Sequence, residues 1–286
     1  MQCEKNIGRF GLFISFFPEI SAGPIDRAGY LLPQMTKRND FSYDNVVSGL
    51  RLMLWGYFKK IIIANNLAIF VEPIFISPRD YPISVLLLSI YFLAFQLYAD
   101  CSGYTDIVRG IARLFGYIIT ENFRFPYLPK SIPEFWTRWH LTLSTWLRDY
   151  LFLPLSFFIS RKLKRASVLF INSNLVIYIS STLLTFSIAG IWHGFSLTFI
   201  LWGLLHGIYL SMSNLTRIIR KKLRKKISYY TRYPKLMASV HMIFSFHLVA
   251  FSWILFRAQS IKDAMYIIRK IIPSRTMFDF TFFIER

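Results

Sequence analysis

Residues 166–216 read ASVLFINSNLVIYISSTLLTFSIAGIWHGFSLTFILWGLLHGIYLSMSNLT, and these 51 positions contain no Lys, Arg, Asp or Glu. A helix needs about 20 apolar residues to cross the hydrocarbon of a bilayer, so the run is long enough for two crossings. It lies between RKLKR (161–165) and RIIRKKLRKK (217–226). A two-helix hairpin returns the chain to the side it left and puts both clusters on one face, which the bias of basic loops assigns to the cytoplasm. Working outward, 81–99 and 236–256 are further uncharged runs of spanning length, so four crossings are expected.

Composition agrees with lipid as the solvent. Of the 286 residues 54% are hydrophobic, 18% aromatic and only 17% charged, too apolar for an ordinary soluble domain. The net charge of +19 comes in short clusters between long uncharged runs. That is the pattern of cytoplasmic loops rather than of a nucleic-acid-binding face, and no nucleic-acid partner is expected. Two cysteines, Cys3 and Cys101, rule out a disulfide framework and a four-thiolate metal site, and no metal is expected. The start, MQCEKNIGRFGLF, lacks the layout of a removable signal peptide. Insertion is expected through internal spans, giving a multi-pass protein of the inner (plasma) membrane. With no fixed-period repeat and no flexible linker, 1–286 reads as a single membrane domain.

Two segments are mixed. Positions 49–76 are apolar but carry Lys59, Lys60 and two Asn, which predicts an interfacial or inward-facing helix. Positions 100–165 are rich in Trp, Tyr, Arg and Pro. Irregular or charged backbone at membrane depth requires protein or water around it, so a re-entrant region is expected. Asp100 and Asp106, flanking CSGYT, are read as helix-end caps or anchors, the common use of Asp.

The chemistry concentrates in two motifs. SIPEFWTRWHLTLSTWLRDYLFLPL (131–155) opens with Ser131 and Glu134 at capping-box spacing and Pro133 in the first turn. The helix so begun is predicted to carry His140 three turns in, with Trp136 and His140 on one face. The plainer reading of such a segment is an aromatic belt with charged anchors. SIAGIWHGFSLTF places His193 within the uncharged run, where an ionisable group is a functional candidate. Gly190 and Gly194 around it, and Gly203 and Gly207 around His206, have the spacing of close helix contacts. His206 reads better as a packing histidine bonded across helices. Moving an acyl group from a thioester to a hydroxyl requires a base for the hydroxyl proton, and neutral imidazole suits that task. A second group, His140 or Asn122, would orient the acceptor or stabilise the developing oxyanion.

FFPEISAGPIDRAGYLLPQ, QLYADCSGYTDIVRGIARLFGY, ENFRFPYLPKSIPEFWTRWHLTLSTWLRDYLFLPL and GIWHGFSLTFILWGLLHG, in this order from about residue 8 to 257, together resemble the membrane-bound O-acyltransferase (MBOAT) family. The likeness is greatest to its bacterial branch for O-acetylation of polysaccharides such as alginate. The resemblance implies an all-α polytopic membrane protein, a multi-helix bundle with re-entrant segments around a central tunnel. It implies His193 as the catalytic residue and His140 as a second active-site residue. The donor would be a cytoplasmic thioester, acetyl-coenzyme A, used as a substrate with no bound cofactor. The partners would be membrane lipid and an extracytoplasmic acyltransferase or acceptor. Family members carry several spans ahead of the FFP block, so a partial domain, from a fragment or a truncated gene, is expected. The rival readings are D-alanyl transfer to teichoic acid, a transporter using Asp100, Asp106 and His193, and an inactive membrane fragment.

Overall fold

A computed structural model of the chain describes residues 4–20, 22–37, 39–163, 167, 168, 171–217, 220 and 232–272. Lys164, Arg165 and most of the basic cluster 217–226 lie outside the described residues. The described chain is helical apart from one minimal antiparallel ladder, Ser167–Val168 against Ile171–Asn172. In order the helices are α1 (Ile7–Ile14), α2 (Phe17–Ile20), α3 (Ala28–Met35), α4 (Tyr43–Tyr57), α5 (Asn65–Ile76), α6 (Ile83–Leu114), α7 (Ile132–Phe135), α8 (Leu141–Leu147), α9 (Leu153–Lys162), α10 (Ser173–His193), α11 (Leu197–Leu215), α12 (Pro234–Arg257) and α13 (Ile261–Ile271). A π-helical stretch, Phe58–Ala64, joins α4 to α5, and a second, Arg148–Phe152, joins α8 to α9. Helices α6, α10 and α12 are long and apolar enough to cross a membrane. They match three of the four expected spans. The fourth expectation falls on α11, the return limb of the hairpin, which is a 19-residue helix but is not among those long and apolar enough to cross.

The chain divides into two compact units that alternate along the sequence: Met1–Ile69, Phe95–Arg124 and Trp139–Leu143 in one, Phe70–Ala94, Phe125–Arg138 and Ser144–Arg286 in the other. In the first, Phe16, Leu31, Val108, Ala112 and Ile119 form a buried cluster, with Tyr117 edge-on to Phe16 at 5.5 Å. Here α4 lies backbone against backbone on α6. A Cβ on Gly56 would stand 2.7 Å from the Gly103 carbonyl, and one on Gly49 2.8 Å from that of Gly110. The π-helical stretch follows this contact. Lys59 Nζ reaches Asp106 at 2.6 Å and Ser102 Oγ at 3.1 Å, and Asp106 also accepts from Arg109 at 3.0 Å. Lys60 pairs with Asp100 at 2.5 Å. The inward-facing expectation for 49–76 therefore holds for Lys59, which is buried. The reading of Asp100 and Asp106 as end caps does not hold: both lie inside α6. A charge at this depth needs a countercharge more than a helix end needs a cap.

In the second unit α10 and α11 run antiparallel, because Gly190 meets Phe199, Gly203 meets Phe186 and Gly207 meets Leu183. A Cβ would come within 2.3 Å of the Phe199 carbonyl at Gly190 and 2.1 Å of the Phe186 carbonyl at Gly203. The small residues thus let the helices touch backbone to backbone, as expected. Gly194 has another task. It terminates α10 at φ +155, a conformation that side-chain-bearing residues rarely adopt, and a Cβ there would also stand 2.9 Å from the Phe199 ring.

Candidate active site

His193 is the last residue of α10, followed by the Gly194 turn and by Ser196, which caps α11 through the Thr198 amide. Its ring is half-buried among aromatic rings, edge-on to Trp202 at 5.2 Å and to Phe256 at 5.1 Å, with Trp192 at 4.9 Å and Phe199 at 6.1 Å. Three elements build this cage: the end of α10, the start of α11 and the end of α12. Among the described residues no protein atom hydrogen-bonds to the His193 ring, so both nitrogens are open to a substrate. The position at a helix C-terminus turns the negative end of the α10 dipole toward any positive charge that develops on the ring.

His206, one ring further along the same aromatic column, differs in kind. It is wholly buried, 5.0 Å from Trp202 and 5.1 Å from Trp136. Its Nε2 meets Ser252 Oγ of α12 at 2.9 Å. Ser252 donates to the Val249 carbonyl, so Nε2 carries the hydrogen and Ser252 accepts it. This is the packing histidine, bonded across helices, that the sequence suggested.

His140 lies in the first unit, and its setting corrects the sequence reading. Ser131 does cap α7, accepting from the Glu134 amide at 3.3 Å, while Glu134 Oε2 reaches back to the Lys130 amide. The helix stops after one turn, however. The Thr137 and Arg138 amides bond back to Glu134 and Phe135, a tighter pattern than an α-helix. His140 then takes φ +44. It is a junction residue, not a position three turns into a helix, and it shares no helix face with Trp136. Trp136 packs instead on Phe186, Trp202 and His206. What holds His140 is Asn122. The Asn122 carbonyl accepts from the Leu141 amide at 3.0 Å, and its Oδ1 accepts from the Thr142 amide at 3.0 Å and hydroxyl at 2.7 Å. Thr142 Oγ1 in turn accepts from the Ile25 amide at 2.9 Å, tying the AGPID loop to the junction. Asn122 is buried, and its Nδ2 has no acceptor among the described residues. A buried amide donor with no acceptor, on the residue that anchors the chain just after His140, is what an oxyanion or hydroxyl ligand needs.

Sequence reasoning missed one further feature of this unit. Burial, followed by the charge of nearby Asp26, pushes the Glu19 carboxyl up to about 8. Asp26 also accepts from the Thr120 amide at 3.0 Å. Two carboxyls seven positions apart in PEISAGPID were the available signal. Among the described residues no three His, Cys, Asp or Glu side chains form a metal-ligand set.

The sequence profile of the membrane-bound O-acyltransferase family matches residues 6–256. The chain belongs to this family. As an MBOAT chain with three spanning-length apolar helices it is a membrane protein. It is 35% identical over 265 residues to a peptidoglycan O-acetyltransferase of Helicobacter pylori, covering 92% of this chain and 46% of that protein. It is 34% identical over 260 residues to a probable alginate O-acetylase of Azotobacter vinelandii, covering 91% and 47%. A teichoic acid D-alanyltransferase of Bacillus subtilis is 29% identical over 247 residues, covering 85% and 60%. The MBOAT chain thus spans about half the length of the acetyltransferase relatives it matches.

Proposed function

We propose that this chain performs O-acetyl transfer from a cytoplasmic thioester, acetyl-coenzyme A, to a hydroxyl acceptor for O-acetylation of an extracytoplasmic polysaccharide, with His193 as the general base. The observation that carries the reading is the His193 ring: caged by Trp192, Phe199, Trp202 and Phe256, yet with both nitrogens uncommitted. In the proposed step His193 takes the acceptor's hydroxyl proton as the oxygen adds to the thioester carbonyl. The tetrahedral adduct expels the thiolate, which recovers the proton from imidazolium, leaving an ester and a free thiol. His140 and Asn122 are the proposed acceptor-orienting pair. An extracytoplasmic acyltransferase or acceptor protein is the proposed partner, and the inner membrane the proposed site.

D-alanyl transfer is the second reading, supported by the Bacillus subtilis relative. Acetyl transfer is preferred because the likeness to the two acetyl-transfer relatives is higher and covers more of this chain. Membranes carrying the chain, supplied in parallel with labelled acetyl-coenzyme A and with a D-alanyl thioester donor, separate the two. Acetyl label appearing in polymer is the expected result. Label from the D-alanyl donor alone would reverse the choice, and label from neither would remove the activity from this chain.

A further inference from the structure

A cleft of about 480 Å³ lies in the second unit between the C-terminal end of α11, the N-terminal half of α12 and the residues leading into α7. Its lining combines two chemistries: Lys130 and Arg220 carry positive charge, and Val240, Phe244 and Leu248 are apolar. Arg220 belongs to the basic cluster 217–226, which the positive-inside bias puts on the cytoplasmic side.

Among the described residues neither cation has a carboxylate partner. The Glu134 carboxylate nearest Lys130 in sequence is occupied by Arg138 at 2.6 Å and by the Lys130 amide rather than its ammonium. Arg220 donates to the Ser213 carbonyl and hydroxyl, its buried Nε has no acceptor, and among the described residues neither Lys130 nor Arg220 makes an ion pair. Two positive charges lining one cleft, that of Arg220 partly buried, favour an anionic ligand. The apolar wall points to what carries that anion. Val240 and Phe244 line the cleft yet remain 48% and 63% exposed, so this flank opens sideways onto the surface of α12, a helix of spanning length. A ligand entering there comes from the bilayer.

We propose that this cleft binds one anionic phospholipid of the cytoplasmic leaflet, its phosphate between Lys130 and Arg220 and an acyl chain along Val240, Phe244 and Leu248. The site is separate from the His193 cage and does not depend on the acyl-transfer reading.

The test is native mass spectrometry of the purified chain in neutral detergent with equal amounts of phosphatidylglycerol and phosphatidylcholine bearing the same acyl chains. Wild type is expected to retain one phosphatidylglycerol in preference. Lys130→Gln and Arg220→Gln are each expected to weaken that preference about fivefold, the scale of one basic residue against an anionic lipid. Arg220→Lys should keep most of it. Elution volume and thermal midpoint report folding. If Arg220→Gln fails to fold, Lys130→Gln and Arg220→Lys decide the matter. Millimolar coenzyme A or inorganic phosphate should not release the lipid. Equal retention of the two lipids, or undiminished preference in Lys130→Gln, overturns the proposal. Release by coenzyme A reassigns the cleft to the thioester donor, and release by phosphate alone reduces it to a simple anion site. Each of these also overturns it.

Discussion

At the scale of single residues, what separates His193 from His206 is commitment rather than residue type. His206 gives Nε2 to Ser252 and has no exposed surface, whereas the His193 ring is half-open and holds no protein partner among the described residues. Removing a general base lowers a rate about 10²- to 10⁴-fold. His193→Ala is expected to fall in that range per folded molecule, with the amount of folded chain measured in parallel because the ring packs on Trp192, Phe199, Trp202 and Phe256. Glu19 permits a sharper test of the AGPID loop. Its carboxyl, raised by burial and by Asp26 from 4.5 to about 8, binds its proton more tightly in the folded chain than in the unfolded one. The stability this contributes is full below about pH 4.5 and is lost as pH rises toward 8. Thermal midpoints of Glu19→Gln should therefore decline less than wild type between about pH 5 and pH 8. Parallel declines would show that the carboxyl is not held protonated by the fold.

At the scale of elements, the hairpin was legible because absence of charge over 51 residues and basic clusters at both ends leave few other ways to satisfy the backbone in lipid. The glycine contact was legible too, since spacing alone puts Gly203 and Gly207 on one face. Gly203→Ala would drive a Cβ to 2.1 Å from the Phe186 carbonyl. Overpacking of this kind costs about 1–3 kcal/mol, so the thermal midpoint in detergent should drop clearly, whereas Gly11→Ala, with nothing within 4 Å, should be neutral by comparison. The Lys59–Asp106 pair was not legible. Its partners lie on separate helices 47 positions apart, and nothing in either local sequence announces the other. Both side chains are largely buried, and stranding one buried charge costs about 3–5 kcal/mol. Asp106→Leu should destabilise strongly. The double variant Lys59→Met with Asp106→Leu should recover much of the loss, and additive losses would show that the two charges are not a mutual pair.

At the scale of the whole molecule, composition and four ordered motifs sufficed for the family, and three spanning-length helices agree with it. His140 was proposed as a second active-site residue by resemblance, and its local structure was misread. Ser131, Pro133 and Glu134 mark where α7 begins, and no Gly or Pro between Phe135 and His140 marks where it ends. The stop is imposed from elsewhere, by Asn122 taking the Leu141 and Thr142 amides. The most direct test of the central claim sets His193→Ala and His206→Ala side by side in membranes, with transferred acetyl label divided by the amount of folded chain. His193→Ala is expected to lose at least about a hundredfold per folded molecule, while His206→Ala loses folded protein but keeps most of its specific transfer. Specific transfer retained by His193→Ala and lost by His206→Ala would contradict the claim.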